Sequence, residues 1–458
     1  MSLLETLFFL IILILAYSLI VFVLHKMKIL EKYSISFYGP ALLLRTKKGR
    51  NFLKKLASIK RFWHGFGSFG IIFCFLMMFF VVALLVFNTW TVLGFTAEQK
   101  QALPGIEFAL VIPGLNPILP LDYIVYIILA LVIAVIVHEF SHGILTIAGN
   151  LKVKSLGILY LIIPLGAFCE PDEEQLRKTR TSNRMRVYAA GPTSNFVVVL
   201  ISMLLLSFVL MPAVNNAADG VGIIAVADDA PADDIGMKTG MILTHINDSK
   251  IDSIYDFVVV LNSTKANQTV NISYASGKQI YTKMVVLSDK YEEYAIRFPN
   301  QNNVSFKGKG YLGVGLNPYI DFLPILKNPL GDFPNNLLLF YIIPLLGLEG
   351  YNPIFAPFTN SYVITGPLGA IPPDVFWGIV NAIYWIFWLN LAVALFNVLP
   401  MIPLDGGFLF SDGVGSLLKK IKKNISDETK DKIKKNVTTF TSLVILVIVL
   451  FPWLIKYF

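Results

Sequence analysis

Six apolar runs constrain this chain more than anything else in it, at about 3–24, 67–93, 122–148, 187–212, 374–399 and 438–456. Each is near the ~20 residues that cross a hydrocarbon layer as a helix. In lipid every backbone N–H and C=O must be satisfied inside the structure, so such runs predict membrane helices. Composition agrees: 55% of residues are apolar, 15% are charged and the mean hydropathy is +0.66. The expected fold class is an α-helical polytopic membrane protein with about six transmembrane helices, interrupted by a less apolar middle third.

A net charge of +8 would suit an acidic partner such as nucleic acid, but its distribution has a more local reading. Basic residues crowd Lys26 to Arg61 with Glu31 the sole acid, then Lys152 to Arg186, then Lys419 to Lys435. Each group lies between two apolar runs, and positive loops mark the cytoplasmic face. No nucleic acid is needed. With the three basic loops inside, the N-terminus is outside, the third run enters, the fourth exits, and residues from 213 to about 335 are extracytoplasmic. The first run lacks a basic n-region and a small-residue cleavage site, so it reads as an uncleaved helix. Leu156–Phe168 and Leu337–Leu348 are too short to span and contain Pro164 and Pro344; both are expected to be re-entrant or interfacial. Cys74 and Cys169 are too few for a disulfide framework or a cysteine zinc site.

The third run carries His138-Glu139-Phe140-Ser141-His142. H-E-x-x-H on a helix puts two imidazoles one turn apart on one face with a carboxylate beside the first. That geometry suits two ligands of a tetrahedral zinc ion and a general base for its water. An ionisable side chain at mid-bilayer costs roughly 2.5–3.5 kcal/mol, so three within five positions argue for function over a structural polar cluster.

Residues from about Gly220 to Val286 change character. The order is strand (Val221–Val226), short helix (Ala230–Gly236), strand (Met241–Ile246), turn, helix (Ile254–Leu261) and two strands (Thr269–Tyr274, Gln279–Val286). Ala230-Pro231-Ala232, Gly240-Met241-Ile242 and Ile246-Asn247-Asp248-Ser249-Lys250-Ile251 resemble the PDZ family, with Met241 in place of its usual Asp and Asp248 in place of its usual Gly. A PDZ-like groove binds peptides by strand addition, which implies a peptide C-terminus as a partner.

Two histidines need a third ligand from elsewhere. The best candidate lies in Asn397-Val398-Leu399-Pro400-Met401-Ile402-Pro403-Leu404-Asp405-Gly406-Gly407, where Asp405 is expected to close the fifth apolar helix. The prolines break the helix and let the carboxylate turn inward. Here the chain resembles the site-2 protease family of intramembrane zinc metalloproteases, which shows H-E-x-x-H in one membrane helix and N-x-x-P-x-x-x-L-D-G in a later one. A third match is Gly191-Pro192-Thr193-Ser194-Asn195, like the family's G-x-x-x-N element. Carried over by position, the resemblance implies that His138, His142 and Asp405 bind Zn2+ and that Glu139 activates water. It also implies that Asn195 and Asn397 hold the substrate backbone or its oxyanion.

Topology gives a separate check. His138 lies about sixteen residues, roughly 24 Å, into an inward-running helix, and Asp405, Asn397 and Asn195 are expected near the same inner face. The expected domains are then residues 1–121, two membrane helices with a basic cytoplasmic loop; 122–212, the first part of the catalytic membrane core; and 213–335, extracytoplasmic, with the PDZ-like domain at about 220–290. Residues 336–410 follow as an interfacial segment and the second part of the core, and 411–458 as a basic cytoplasmic loop and a last helix. The expected function is cleavage of transmembrane protein substrates in regulated intramembrane proteolysis, within the lipid bilayer. The competing class, a membrane scaffold or transporter with a buried metal, would favour internal repeats and charges on several helices, and neither is evident.

Overall fold

The computed structural model describes residues 3–32, 35–38, 41–46, 49–109, 112–161, 163–317, 322–421 and 426–457. The chain folds as two compact units, one of Met1–Leu110, Ile124–Ile201 and Trp385–Phe458, the other of Val111–Tyr123 and Ser202–Tyr384.

The long helices are α1 (Leu3–Lys26), α2 (Lys60–Leu93), α3 (Ile124–Ala148), α4 (Thr181–Leu204), α5 (Pro373–Asn397), α6 (Asp405–Ile421) and α7 (Asp427–Leu454). The helical spans Lys60–Leu93, Leu121–Ala148, Thr181–Ala213, Pro373–Asn397 and Asp427–Leu454 are each long and apolar enough to cross a membrane. The first expected span corresponds to α1, a 24-residue apolar helix. This is an integral membrane protein built mainly of helices. Small residues bring the helices close. A methyl on Gly70 of α2 would lie 2.6 Å from Thr193 Oγ1 of α4, so only glycine fits that crossing.

Helix ends depart from the expected runs in one direction. The helix α2 begins at Lys60 and α7 at Asp427, well before the apolar residues at 67 and 438. Hydropathy marks only the stretch in hydrocarbon, whereas Lys and Glu are good helix formers and carry the helix past it into the polar layer. Asp405 does not close the fifth apolar helix. Helix α5 ends at Asn397, the chain turns through Pro400 and Pro403, and Asp405 is the first residue of α6. The expected boundary at 410/411 therefore falls inside a helix, and most of the expected third basic loop is helical.

The first basic loop and the short apolar stretch after α3 also hold more structure than expected. Strands β1 (Ile35–Tyr38), β2 (Ala41–Thr46), β3 (Val153–Leu161) and β4 (Ile163–Pro171) form one antiparallel sheet in that order, with β4 at an edge. Expected only as a re-entrant or interfacial segment, Leu156–Phe168 is a β-hairpin. Below it, Leu53, Ile144, Leu145, Val187 and Ala190 pack with Leu156 and Cys169 into one buried cluster.

In the second unit the expected strand and helix order is present almost residue for residue. Strands β5 (Val221–Val226), β6 (Ile242–Ile246), β7 (Thr269–Ser276) and β8 (Gln279–Val286) form an antiparallel sheet that a further strand, β9 (Val314–Leu316), completes beside β5. Alternation along β7 buries Val270, Ile272 and Tyr274 against Ile223, Leu243, Ile246 and Leu312. The helix Ile254–Asn262 starts where Ser253 Oγ accepts from the Asp256 N–H at 3.1 Å. Strand β9 lies beyond the expected end of this domain, because three residues give too short an alternation to read.

Candidate metal centre

Three side chains from three elements converge. His138 and His142 come from α3 and Asp405 from the start of α6, and one ligand atom from each lies within 4.8 Å of the others. Asp405 Oδ2 is 3.0 Å from His138 Nε2 and 3.1 Å from His142 Nε2. A tetrahedral ion with bonds of about 2.0–2.1 Å separates its ligand atoms by roughly 3.3 Å; the two histidine–aspartate separations are close to that, and the widest in the set, 4.8 Å, exceeds it.

Proton positions sharpen the fit. His142 Nδ1 is 2.7 Å from the Val187 carbonyl oxygen, which can only accept, so Nδ1 carries the proton. In a neutral imidazole Nε2 then presents a lone pair to a carboxylate oxygen. In that state Nε2 and Asp405 Oδ2 are both acceptors at 3.1 Å, an arrangement that a shared cation would satisfy. Val187 lies in a part of α4 whose backbone bonding is irregular. Just after it the helix ladder is disturbed: Pro192 lacks the N–H that would bond the Tyr188 carbonyl, and the Thr193 and Ser194 hydroxyls bond back to the Ala189 and Ala190 carbonyls.

Gly191 shapes the site. A Cβ there would sit 2.5 Å from His138 Nε2 and 2.6 Å from His142 Nε2, so α4 passes the imidazoles with only a glycine's clearance. His138 lies ten residues before the end of α3 and Gly191 ten residues after the start of α4, which matches their depths in oppositely running helices. Gly407 does the equivalent for Asp405: its Cβ would lie 2.5 Å from the Met401 carbonyl carbon, so the proline turn folds tightly onto the start of α6.

Glu139 does not join the three ligand atoms. Its Oε2 accepts from the backbone N–H of Cys169 in β4 at 2.7 Å. That N–H therefore faces away from β3, on the free edge of the sheet. Burial, with Glu139 and Glu170 nearby, pushes the Cys169 thiol up to about 12.

Asn195 follows Gly191 by four residues and so shares its face of α4. It is fully buried, and neither its Oδ1 nor its Nδ2 has a hydrogen-bond partner. A buried amide with both ends unmet is costly, on the order of 1–3 kcal/mol per group, and asks for an explanation. Asn397 closes α5, and its Nδ2 donates to the Val393 carbonyl at 3.0 Å. Sequence reasoning named the six side chains but missed the Val187 carbonyl and the Cys169 N–H, since backbone partners leave no trace in residue type. Gly191 had a signal, a Gly-Pro pair inside an apolar run, which marks close packing.

Comparison with known proteins gives the chain's family. The sequence model of peptidase family M50 matches residues 126–448. An uncharacterized protein of Methanocaldococcus jannaschii is 27% identical over 395 residues, 86% of this chain and 82% of that one. The zinc metalloprotease RasP of Shouchella clausii is 25% identical over 256 residues, 53% of this chain, which spans about half (54%) of that relative's length. Among solved structures, the PDZ domain of an SdrC-like protein from Listeria monocytogenes matches 22% of this chain and 88% of its own at 25% identity, with a TM-score of 0.17.

Proposed function

This chain belongs to peptidase family M50, and from that premise we propose that it is an intramembrane zinc metalloprotease that cleaves transmembrane segments of membrane-anchored proteins. The observation that carries the reading is the convergence of His138 Nε2 and His142 Nε2 on one carboxylate oxygen, Asp405 Oδ2, at 3.0 and 3.1 Å. Zinc held there supplies a Lewis acid that polarises a peptide carbonyl and lowers the pKa of water towards ~7.

The residues divide the remaining work. Glu139 Oε2 is held by the Cys169 N–H, which leaves Oε1 to take a proton from the attacking water and deliver it to the leaving amine nitrogen. Asn195, buried with both polar atoms unmet, donates Nδ2 to the developing oxyanion, a contact worth roughly 3–4 kcal/mol in other proteases. Asn397 contributes Oδ1 to the substrate backbone, its Nδ2 being engaged by Val393. A membrane helix must unwind before its backbone can be attacked. The edge of β4 supports such a step, because an extended segment paired there runs past Glu139.

In this reading the basic helix ends and loops lie in the cytoplasm, the metal centre nearer that face, and the α+β domain outside. The domain acts as a PDZ-like gate that admits substrates already shortened by a first cut, as in regulated intramembrane proteolysis. The test is cleavage of a reconstituted single-span substrate by wild type and Glu139→Gln. Bound zinc near one per chain in both, with cleavage lost in Glu139→Gln, is expected. Equal cleavage by the two proteins would remove Glu139 from the mechanism. Asp405→Ala should weaken zinc by more than the ~10–100-fold that loss of an outer-sphere partner costs, read by chelator competition.

A further inference from the structure

A second charged site lies in the first unit, apart from the metal ligands. A cavity of about 960 Å³ opens between the segment leading into α4, the outer face of α6 and the first turns of α7. Its lining holds six cations, Arg177, Arg184, Lys419, Lys430, Lys434 and Lys435, against three carboxylates, Asp412, Asp427 and Asp431.

The pairing of these charges leaves part of the set over. Asp412 is 3% exposed. It accepts from Arg184 Nε and from Nη2 at 2.9 Å, and from Lys434 Nζ at 2.9 Å. One buried carboxylate thus holds two cations, tying α4, α6 and α7 together and leaving a fixed positive remainder. Lys430 is taken by Asp427, whose own side chain is exposed, and Arg177 by Glu173. Lys419 and Lys435 hold no salt bridge among the described residues, although they line the same cavity. Holding three helices together explains Arg184, Asp412 and Lys434. It does not explain why further lysines converge on the same space at the cost of mutual repulsion.

Depth and lining indicate the ligand. Arg184 is the fourth residue of α4, and the charges of α7 all fall between Asp427 and Lys435, ahead of its apolar stretch. The cavity is therefore at the level where a bilayer's polar layer meets its hydrocarbon. Tyr188, Ile402 and Phe408 add an apolar side, and the Thr438 and Thr439 hydroxyls lie where the helix turns apolar. A fixed arginine and several lysines suit phosphate oxygens, and an apolar flank at this depth suits what a lipid phosphate is attached to.

We propose that this cavity binds the phosphate of an anionic ligand, with a phospholipid headgroup as its source. The proposal concerns binding alone and stands whether or not the chain cleaves peptides.

Full-length protein, stripped of lipid in neutral detergent, tests it by native mass spectrometry with phosphatidylglycerol, phosphatidylcholine or inorganic phosphate added. Wild type is expected to retain phosphatidylglycerol at least tenfold more tightly than phosphatidylcholine. Lys419→Gln with Lys435→Gln, which spares the buried Asp412 cluster, is expected to weaken phosphatidylglycerol by roughly tenfold or more, at about 1 kcal/mol for each lysine near the headgroup. A thermal melt unchanged within a few degrees shows that the loss is local. Millimolar inorganic phosphate distinguishes the sources: displacement of the lipid together with phosphate binding of its own assigns a free anion, and no displacement assigns the headgroup. Equal retention of both lipids without phosphate binding, or unchanged binding by the double variant, overturns the proposal.

Discussion

At the scale of single residues, the candidate metal centre depends as much on an absent side chain as on those present. Gly191 allows α4 to pass the imidazoles, and a Cβ at 2.5 Å from His138 Nε2 has no room without moving a ring. Gly191→Ala should therefore cost about 1–3 kcal/mol in strain, spent on displacing His138 or His142 from the ligand position. The expected result is zinc affinity reduced at least tenfold in chelator competition, with a melting temperature within a few degrees of wild type. Unchanged zinc affinity would show that the rings yield freely and that the glycine serves packing alone. The chemistry-bearing side chains were legible because their types are scarce in apolar runs. His138, Glu139 and His142 have a spacing that only a helix makes meaningful, and Asp405 sits beside two prolines and two glycines. What fixes their orientation was not legible. The Val187 carbonyl and Cys169 N–H are backbone groups, common to every residue, and only the fold brings them to His142 and Glu139.

Elements were read well where one period repeats long enough and poorly where it does not. The strands from Val221 to Val286 run over five to eight residues between turn residues, with clear alternation in β7, and were found. Strands β1 and β2 lie within a basic loop, and the pairing of β2 with β3 is set by residues more than a hundred positions away. Helix α6 was missed because an Asp-Gly-Gly start reads as a turn, yet Asp at a helix N-terminus is favourable and both glycines are required by close backbone contact. The element whose role is most open to test is β4. Since the Cys169 N–H faces outward, antiparallel alternation turns the Ala167 N–H and C=O outward too. Ala167→Pro then removes a donor that an incoming strand would use while leaving the bonds to β3 in place, as edge positions tolerate proline. Cleavage of a helical substrate should fall roughly tenfold, about one or two lost hydrogen bonds, with zinc content unchanged. Full cleavage by Ala167→Pro would mean that substrates do not pair with this edge.

For the whole molecule, the distribution of positive charge makes a prediction about orientation in the membrane. Lysines and arginines crowd the segments around 26–61, 152–186 and 419–435, whereas the α+β domain lies between the fourth and fifth spans. If the basic segments are cytoplasmic, that domain must be outside, and the two are separated by an odd number of crossings. Engineered cysteines test this directly. Lys54 is exposed in the short helix Arg50–Leu56, and Lys278 is exposed at the turn between β7 and β8. The native thiols give little background, since Cys74 and Cys169 are both buried. At about pH 8 the Cys169 thiol, pushed up to about 12, stays protonated and unreactive. In intact cells a membrane-impermeant maleimide should label Lys278→Cys at once and Lys54→Cys only after permeabilisation. Labelling of Lys54→Cys alone would invert the orientation and put the domain inside. Labelling of both without permeabilisation would mean an even number of crossings between them, and the shared depth proposed for the metal centre would lose its topological support.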